Sequence, residues 1–303
     1  MIKKIVYLIR KYNDSINTIN NLDQLLEFKI KSNYLLATTG SSSELITQPK
    51  SEGETELIVS FTTYDKRIHD AHLVIESIAQ QTIKPNRLIL WLDEDEFTLE
   101  TIPLILHKQI KRGLEIRFCP NYRSYKKLIP TLKLFPEANI ITIDDDILYP
   151  DDMVEGLVRE HSAHPNCIIG HRIHKITLDS DKKVVPYSKW THEIESTQAS
   201  MLNIAIGVGG VFYPKGSLNK ECFNVDVFSK LAPNADDVWF KAMTTLNGFK
   251  AKKVDDGRYF WGRFIQIESG QDIALSVSNY IEHGNDSQIR EVFDKYNIES
   301  LLD

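Results

Sequence analysis

The chain has 303 residues, is 42% hydrophobic and 26% charged, and carries a formal net charge of −6. This composition excludes wholesale disorder, and the acidic balance argues against nucleic acid as a main partner, because phosphate contacts need clustered basic surface. Cys119, Cys167 and Cys222 are odd in number and far apart, which excludes paired-cysteine metal motifs and points to a reducing compartment.

Taken in chain order, residues 1–36 read as a separate helical extension. Ile5, Ile9, Tyr12, Ile16, Ile19, Leu22 and Leu26 recur at spacings of three and four, which marks one helix face. Asn13-Asp14-Ser15 is a point where this unit can divide into two helices. Three uses stay open for the face: packing on the chain's own catalytic domain, a homodimer contact, or attachment to a membrane surface through Lys3, Lys4, Arg10 and Lys11. No segment has the length of apolar sequence needed to span a bilayer, and no cleavage site follows the short apolar start. The expected location is therefore cytoplasmic. Residues 37–55, rich in serine, threonine and glycine, read as a linker.

The main domain is expected over 56–303, divided into a ligand-binding half at 56–150 and an acceptor half at 151–303. In its first half strands at 57–61, 87–92, 114–118 and 138–143 alternate with helices at 70–80, 103–112 and 126–135. That alternation predicts an α/β fold with a mostly parallel sheet and helices on both faces. Beyond Asp151 come a helix at 152–161, a strand at 167–171, a polar loop at 179–203 read as flexible and facing substrate, a glycine-bearing strand at 208–214 and a helix at 236–246.

The apolar run Ala138–Ile143 ends in Asp144-Asp145-Asp146. Three adjacent carboxylates repel one another unless a cation is present. Hard divalent ions such as Mg²⁺ and Mn²⁺ take carboxylate oxygens and keep positions open for phosphates. A turn or helix cap would account for one aspartate, not for three after a buried strand. Ligands of parallel sheets bind at the carboxyl ends of the strands. The Ser60–Tyr64 stretch, Asp93 and the triple aspartate all fall there.

The run Val59-Ser60-Phe61-Thr62-Thr63-Tyr64 with Arg67, then Ser77–Pro85 containing Gln80-Gln81-Thr82, then Ile89–Leu92, resembles the opening of GT-A glycosyltransferases, in particular bacterial polysaccharide enzymes related to family 2. Asp144–Asp146 matches their DXD motif. Gly207–Val211 and Ala235–Phe240 resemble the acceptor-side strand and the acidic helix start of the same group. The resemblance covers about residues 56–250.

The resemblance implies a metal-dependent transfer of a sugar from a nucleotide donor, UDP-linked, to a hydroxyl of a bacterial surface glycan, with inversion. Two acceptors stay open, a free or a lipid-linked glycan; the latter would place the protein on the inner membrane face. By resemblance Asp146 ligates Mn²⁺ or Mg²⁺, with Asp144 reaching the metal or the ribose and Asp145 orienting the others. Thr62, Tyr64, Arg67, Asp93 and Lys127 are expected on the donor side. Asp237 is the expected base and Asp236 binds acceptor hydroxyls, or the two exchange roles. Gly209, Gly210 and Trp239 are expected near the acceptor, and His283 at the metal.

Each assignment has a plain structural alternative that the sequence leaves open. Arg67 and Lys127 also read as surface cations, Asp236-Asp237 as a helix cap, Gly209-Gly210 as a bulge, Trp239 and Trp261 as core residues, and His283 as a lone structural histidine. Two other functions remain as alternatives. A sugar nucleotidyltransferase would normally carry a glycine-rich phosphate loop after the first strand, where this chain has Thr62-Thr63-Tyr64-Asp65-Lys66. A non-catalytic glycan-binding or scaffold subunit would not need both acidic clusters.

Overall fold

A computed structural model describes residues 26–267 and 284–302. Helix α1 (26–41) leads into strand β1 (Leu57–Thr62), and α2 (Ala71–Ala79), β2 (Arg87–Asp93), α3 (Leu104–Ile110) and β3 (Leu114–Cys119) follow. Then come α4 (Ile129–Leu134), β4 (Asn139–Thr142), β5 (Ile147–Leu148), α5 (Met153–Ala163), β6 (Cys167–Gly170), β7 (Ile173–Lys175), β8 (Asn203–Ala205) and β9 (Val211–Tyr213). The chain continues through α6 (Val225–Leu231), α7 (Asp236–Leu246), β10 (Lys250–Lys253), β11 (Ile265–Gln266) and α8 (Gly284–Tyr296).

Seven strands form one sheet in the order β10-β6-β9-β4-β1-β2-β3. Every pairing is parallel except the two made by β9, which runs against β4 and β6. This is the mostly parallel α/β sheet that the alternation of apolar strands and helices predicted. Its strands bury both faces, so alternate residues enter opposite cores. Ile58, Ile89, Trp91 and Ile140 join one cluster with residues of α4, α7 and α8. Val59, Phe61, Leu88, Leu90 and Ile141 join the other with residues of α1, α2 and α5. A side chain fully buried in such a core contributes about 1.5–3 kcal/mol.

β1 has β2 on one side and β4 on the other, so the chain reverses its direction of winding between β1 and β4. Ligand crevices form at such a switch point, outside the carboxyl ends of the strands. The register Ser60↔Thr142 sets the segments leaving β1 and β4 side by side. The segment after β1 carries Thr63 to Arg67, and the segment after β4 carries Asp144 to Asp146. Polar ties below the crevice hold the strands to α4: Ser60 Oγ and Thr131 Oγ1 are 2.7 Å apart, and Trp91 Nε1 donates to Thr131 Oγ1 at 2.7 Å.

The structure redraws three expected boundaries. α1 continues past residue 36 to 41, and the segment after it is docked on the domain: Ile46 is fully buried, its N–H donates to Arg112 O, and Gln48 N donates to Pro85 O. Serine and threonine suggested a linker here, but Thr38 and Thr39 bond back to Leu35 O and Ser41 to Ala37 O, which keeps them helical. The expected helix at 126–135 is divided into a 3₁₀ turn at Arg123–Lys127 and α4, with Pro130 in the first turn of the latter. The 179–203 segment, read as a flexible loop facing substrate, is pinned. Trp190 and Ile194 are buried in the core, and Trp190 Nε1 donates to Val185 O at 2.9 Å.

The expected helix face at 5–22 and His283 lie outside the described residues. Among the described residues no helix is long and apolar enough to cross a membrane. Cys119, Cys167 and Cys222 are free thiols in buried positions.

Candidate active site

A cavity of about 500 Å³ opens at the carboxyl ends of β1 and β4. It gathers Thr62 from the end of β1, Tyr64 and Arg67 from the segment after it, Lys126 and Lys127 from the 3₁₀ turn before α4, Asp144, Asp145 and Asp146 after β4, and Asp236 and Asp237 from the start of α7. Trp261 and Gly207 also line it. Two acidic motifs, 90 residues apart from Asp146 to Asp236, thus share one concave surface.

The triple aspartate divides into three environments. Asp145 is buried and points inward: Thr63 Oγ1 donates to one oxygen at 2.6 Å and Arg67 Nη1 to the other at 2.7 Å. Burial pushes its carboxyl up to about 6 despite the opposing pull of Arg67. Arg67 Nη2 donates at 3.0 Å to Asp146 Oδ2, so one guanidinium spans both carboxylates. Its carbon lies 5.4 Å from the centre of the Tyr64 ring. Asp144 faces the other way and accepts from Lys127 Nζ at 3.0 Å, while its backbone N–H donates to Tyr149 Oη at 2.9 Å. Asp144 and Asp146 keep 25% and 16% of their side-chain surface exposed, and both open into the cavity.

The second acidic pair begins α7. Gly207 N donates to Asp237 Oδ2 at 3.2 Å. Burial, reinforced by the neighbouring charge of Asp236, pushes the Asp237 carboxyl up to about 7. Asp236 Oδ2 lies 3.1 Å from Lys127 Nζ, close but off the hydrogen-bonding direction. That oxygen is buried and has no hydrogen-bond partner among the described residues. With the Lys127 ammonium beside it but no hydrogen bond made, this oxygen can still accept from a hydroxyl donor.

Lys127 therefore stands between the two acidic groups. Burial works against its charge, and Asp144, Asp236 and Asp237 together hold its pKa well above the usual lysine range. Gly207 makes room for it: a Cβ at that position would fall 2.9 Å from Lys127 Nζ and 3.3 Å from both oxygens of Asp144.

Four expected site residues sit elsewhere. Trp239 is fully buried in the core, with its ring 5.9 Å from Phe228 and 5.7 Å from Tyr296 and its indole N–H on Cys222 O. The helix that places Asp236 and Asp237 at the cavity turns Trp239 inward. Gly209 and Gly210 do not line the cavity: a Cβ on Gly209 would strike His171 and Phe260, and one on Gly210 would meet Met153 Sδ. Gly210 also has φ +81, a conformation that glycine adopts at little cost. Asp93 is buried behind the wall, its carboxylate 3.9 Å from Lys126 Nζ and accepting from the Asp95 N–H. It supports a lysine that lines the cavity instead of lining it.

Tyr125 is likewise a core residue: its ring stacks on Phe228 at 4.1 Å and its hydroxyl donates to Ala232 O. His171 and His174 are buried, and burial lowers them to about 4 and about 3.

The cavity also contains residues that no motif marked. Arg123 and Asn234 form one rim, with Arg123 Nη1 donating to Asn234 Oδ1 at 2.5 Å. Arg123 has φ +52, a strained conformation for a non-glycine residue. A sequence pattern carries no sign of φ, so nothing in the sequence singled out Arg123.

Among the described residues no three His, Cys, Asp or Glu side chains form a ready-made cation cage. Mg²⁺ and Mn²⁺ bound together with phosphates need only one or two protein carboxylates, the phosphates supplying the rest. Asp144 and Asp146 fit that requirement, being hard oxygen donors open to the cavity. Asp145 does not, because both of its oxygens are already bonded.

The fold and the cavity define an α/β protein whose sheet carries a paired acidic and basic site at its carboxyl edge. No family model matches the chain, and no curated protein matches it. Among solved structures it is similar to CMP:2-keto-3-deoxy-manno-octonic acid synthetase in complex with CTP, at 9% identity and a TM-score of 0.40, over 75% of this chain and 99% of that one. A likeness of that degree assigns no activity.

Proposed function

We propose that the protein is a metal-dependent glycosyltransferase of the GT-A type that moves a sugar from a nucleotide donor, UDP-linked, to a glycan hydroxyl with inversion. The observation that carries this reading is the meeting of Asp144–Asp146 and Asp236-Asp237 in one cavity of about 500 Å³ at the sheet's carboxyl edge. A glycosyl transfer needs both: a site for the departing diphosphate and a separate carboxylate for the incoming hydroxyl.

On the donor side, Asp146 and Asp144 would hold Mn²⁺ or Mg²⁺. A cation there acts as a Lewis acid on the leaving diphosphate. Thr63 and Asp145 fix Arg67, and Arg67 in turn fixes Asp146, so the outer carboxylate is oriented before any ligand arrives. Lys126 supplies positive charge to the same region, with Asp93 behind it.

On the acceptor side, Asp237 takes the hydroxyl proton as the oxygen attacks the anomeric carbon. The bond from that carbon to the phosphate oxygen breaks, and the nucleoside diphosphate leaves with its electron pair. A carboxyl pushed up to about 7 is matched to this role, because it is a stronger base than an ordinary aspartate and still partly ionised near neutrality. Asp236 Oδ2, ion-paired with Lys127 but without a hydrogen-bond donor among the described residues, is placed to accept from an acceptor hydroxyl. The acceptor class supported by the resemblance is a bacterial surface glycan, free or lipid-linked, with the enzyme on the cytoplasmic side.

A donor screen with purified protein tests the reading. UDP-sugars, other nucleotide sugars and a panel of divalent ions are assayed for nucleoside diphosphate release and for transfer to glycan acceptors. Metal-dependent release of UDP is expected. Pyrophosphate formation from a nucleoside triphosphate and a sugar would instead mark a nucleotidyltransferase.

A further inference from the structure

Residues 254–267 form a strap beside the cavity, which Trp261 and Gln266 line. The strap starts where Val254 N donates to Gly170 O at 2.9 Å. It ends where β11 pairs with β5, the two residues that follow Asp146. Both aspartates that open into the cavity as candidate cation ligands are held against it. Ile267 N donates to Asp146 O at 2.7 Å. Phe264 is fully buried, stacks on Phe260 at 4.3 Å and meets the Tyr149 ring edge-on at 6.0 Å. Tyr149 Oη in turn accepts from Asp144 N at 2.9 Å. The main chain at Asp144 and at Asp146 is thus referenced to one segment.

Arg263 fastens this strap. Its side chain is 13% exposed and packs on Phe264, with the guanidinium carbon 5.7 Å from the ring centre. Nη1 donates to Asp256 Oδ2 within the strap, and Nη2 to Asp152 Oδ1 at the start of α5. One planar fork therefore serves two carboxylates, which a lysine cannot match. Against the upward effect of burial, Arg258 and Arg263 hold the Asp256 carboxyl down to about 2, so the pair is ionised at neutral pH. Arg258 binds the same two carboxylates but is 58% exposed, where solvent screens such pairs.

We propose that Arg263 is a positioning residue for Asp144 and Asp146: its bonds to Asp152 and Asp256 lock the strap to α5, and the strap holds the main chain of both aspartates in place for a cation. The inference rests on the reading of Asp144 and Asp146 as cation ligands. Arg67 and Lys127 orient the two side chains from inside the cavity. Arg263 acts from outside it, through Ile267 on one aspartate and through Phe264 and Tyr149 on the other. Groups that support metal ligands from behind change metal affinity by about 10–100-fold when replaced.

Mn²⁺ binding to the full chain in the presence of UDP, followed by calorimetry, tests the assignment, with melting temperatures measured on the same samples. Arg263→Met should weaken Mn²⁺ binding by about tenfold or more. Arg263→Lys and Asp256→Asn, which each weaken one of the two bonds, should fall between Arg263→Met and the parent. Arg258→Ala removes the exposed partner of the same carboxylates and should bind Mn²⁺ within about twofold of the parent. Should Arg263→Met fail to fold, Asp256→Asn carries the same comparison. A lower melting temperature with unchanged Mn²⁺ affinity would make Arg263 merely structural and overturn the inference alone, and so would an Arg258→Ala that loses as much affinity as Arg263→Met. A parent that binds no Mn²⁺ overturns the cation reading of the site and this inference with it.

Discussion

Lys127 Nζ lies 3.1 Å from Asp236 Oδ2 while its hydrogen bond goes to Asp144 at 3.0 Å. One buried ammonium therefore touches the acid that follows β4 and the acid that opens α7. It also lowers the pKa of Asp237, against the larger upward effects of burial and Asp236. Lys127→Met removes that lowering influence. The pH–rate profile of transfer should move to more alkaline values, with the acidic limb above the parent's position near 7. Lys127→Arg should recover part of the shift. An unmoved profile in Lys127→Met would exclude this electrostatic role.

Asp237→Asn should lower transfer by about 10²–10⁴-fold, the usual contribution of a positioned base. Metal-dependent nucleotide binding, measured by calorimetry, should persist, since the donor-side residues are untouched. Retained transfer would remove Asp237 as the base.

The same carboxyl has a signature in stability. Its folded-state pKa of about 7 is raised above the ordinary 3.8, so its contribution is fully present below about pH 4 and is lost as pH rises through 7. Asp145, raised to about 6, adds in the same direction. Asparagine at 237 cannot ionise and can still accept from Gly207 N. Asp237→Asn should therefore melt higher than the parent at pH 8, with the gap narrowing as pH falls and closing only below about pH 4. Equal melting temperatures at pH 8 would contradict the burial of a charged Asp237.

Asp146→Ala should reduce donor turnover by about two orders of magnitude or more and weaken the dependence on Mn²⁺, given the size of electrostatic contributions at leaving groups. Asp145→Asn should act more mildly on the metal titration and more strongly on stability, because its two oxygens hold Thr63 and Arg67. Metal titrations of both variants, read by turnover and by melting, separate ligation from support. If Asp146→Ala left donor binding and turnover intact, the cation assignment would fail.

Two tryptophans should part company. Trp239→Ala should cost about 3–5 kcal/mol of folding stability, as large buried aromatics do. Trp261 lines the cavity, half-buried, with Arg172 over its ring at 5.2 Å. Trp261→Ala should leave melting nearly unchanged and raise the KM for acceptor. Denaturation curves and acceptor kinetics on both variants check this. A stability loss at Trp261 matching that at Trp239 would place it in the core instead.

The sequence by itself determined the sheet and its acidic edge. Short apolar runs bounded by helices specify buried parallel strands, because both faces of each strand must be covered and only apolar residues tolerate that. A strand ending in Asp144-Asp145-Asp146 specifies charge at the sheet's carboxyl edge for the same reason. Which side chains face the cavity was decided by tertiary structure. Asp237 and Trp239 are two residues apart on α7, and the direction in which the helix leaves Ala235 turns one to the cavity and the other into the core. Asp93 and Lys126 are brought together from β2 and the turn before α4, and their contact puts the lysine in front. The unequal lives of the three aspartates come from Arg67 and Lys127, whose partners are set by the β1–β4 register and by the missing side chain of Gly207. Local pattern encodes burial and period, whereas partnership between residues 17 to 109 apart in the chain exists only once the strands have paired.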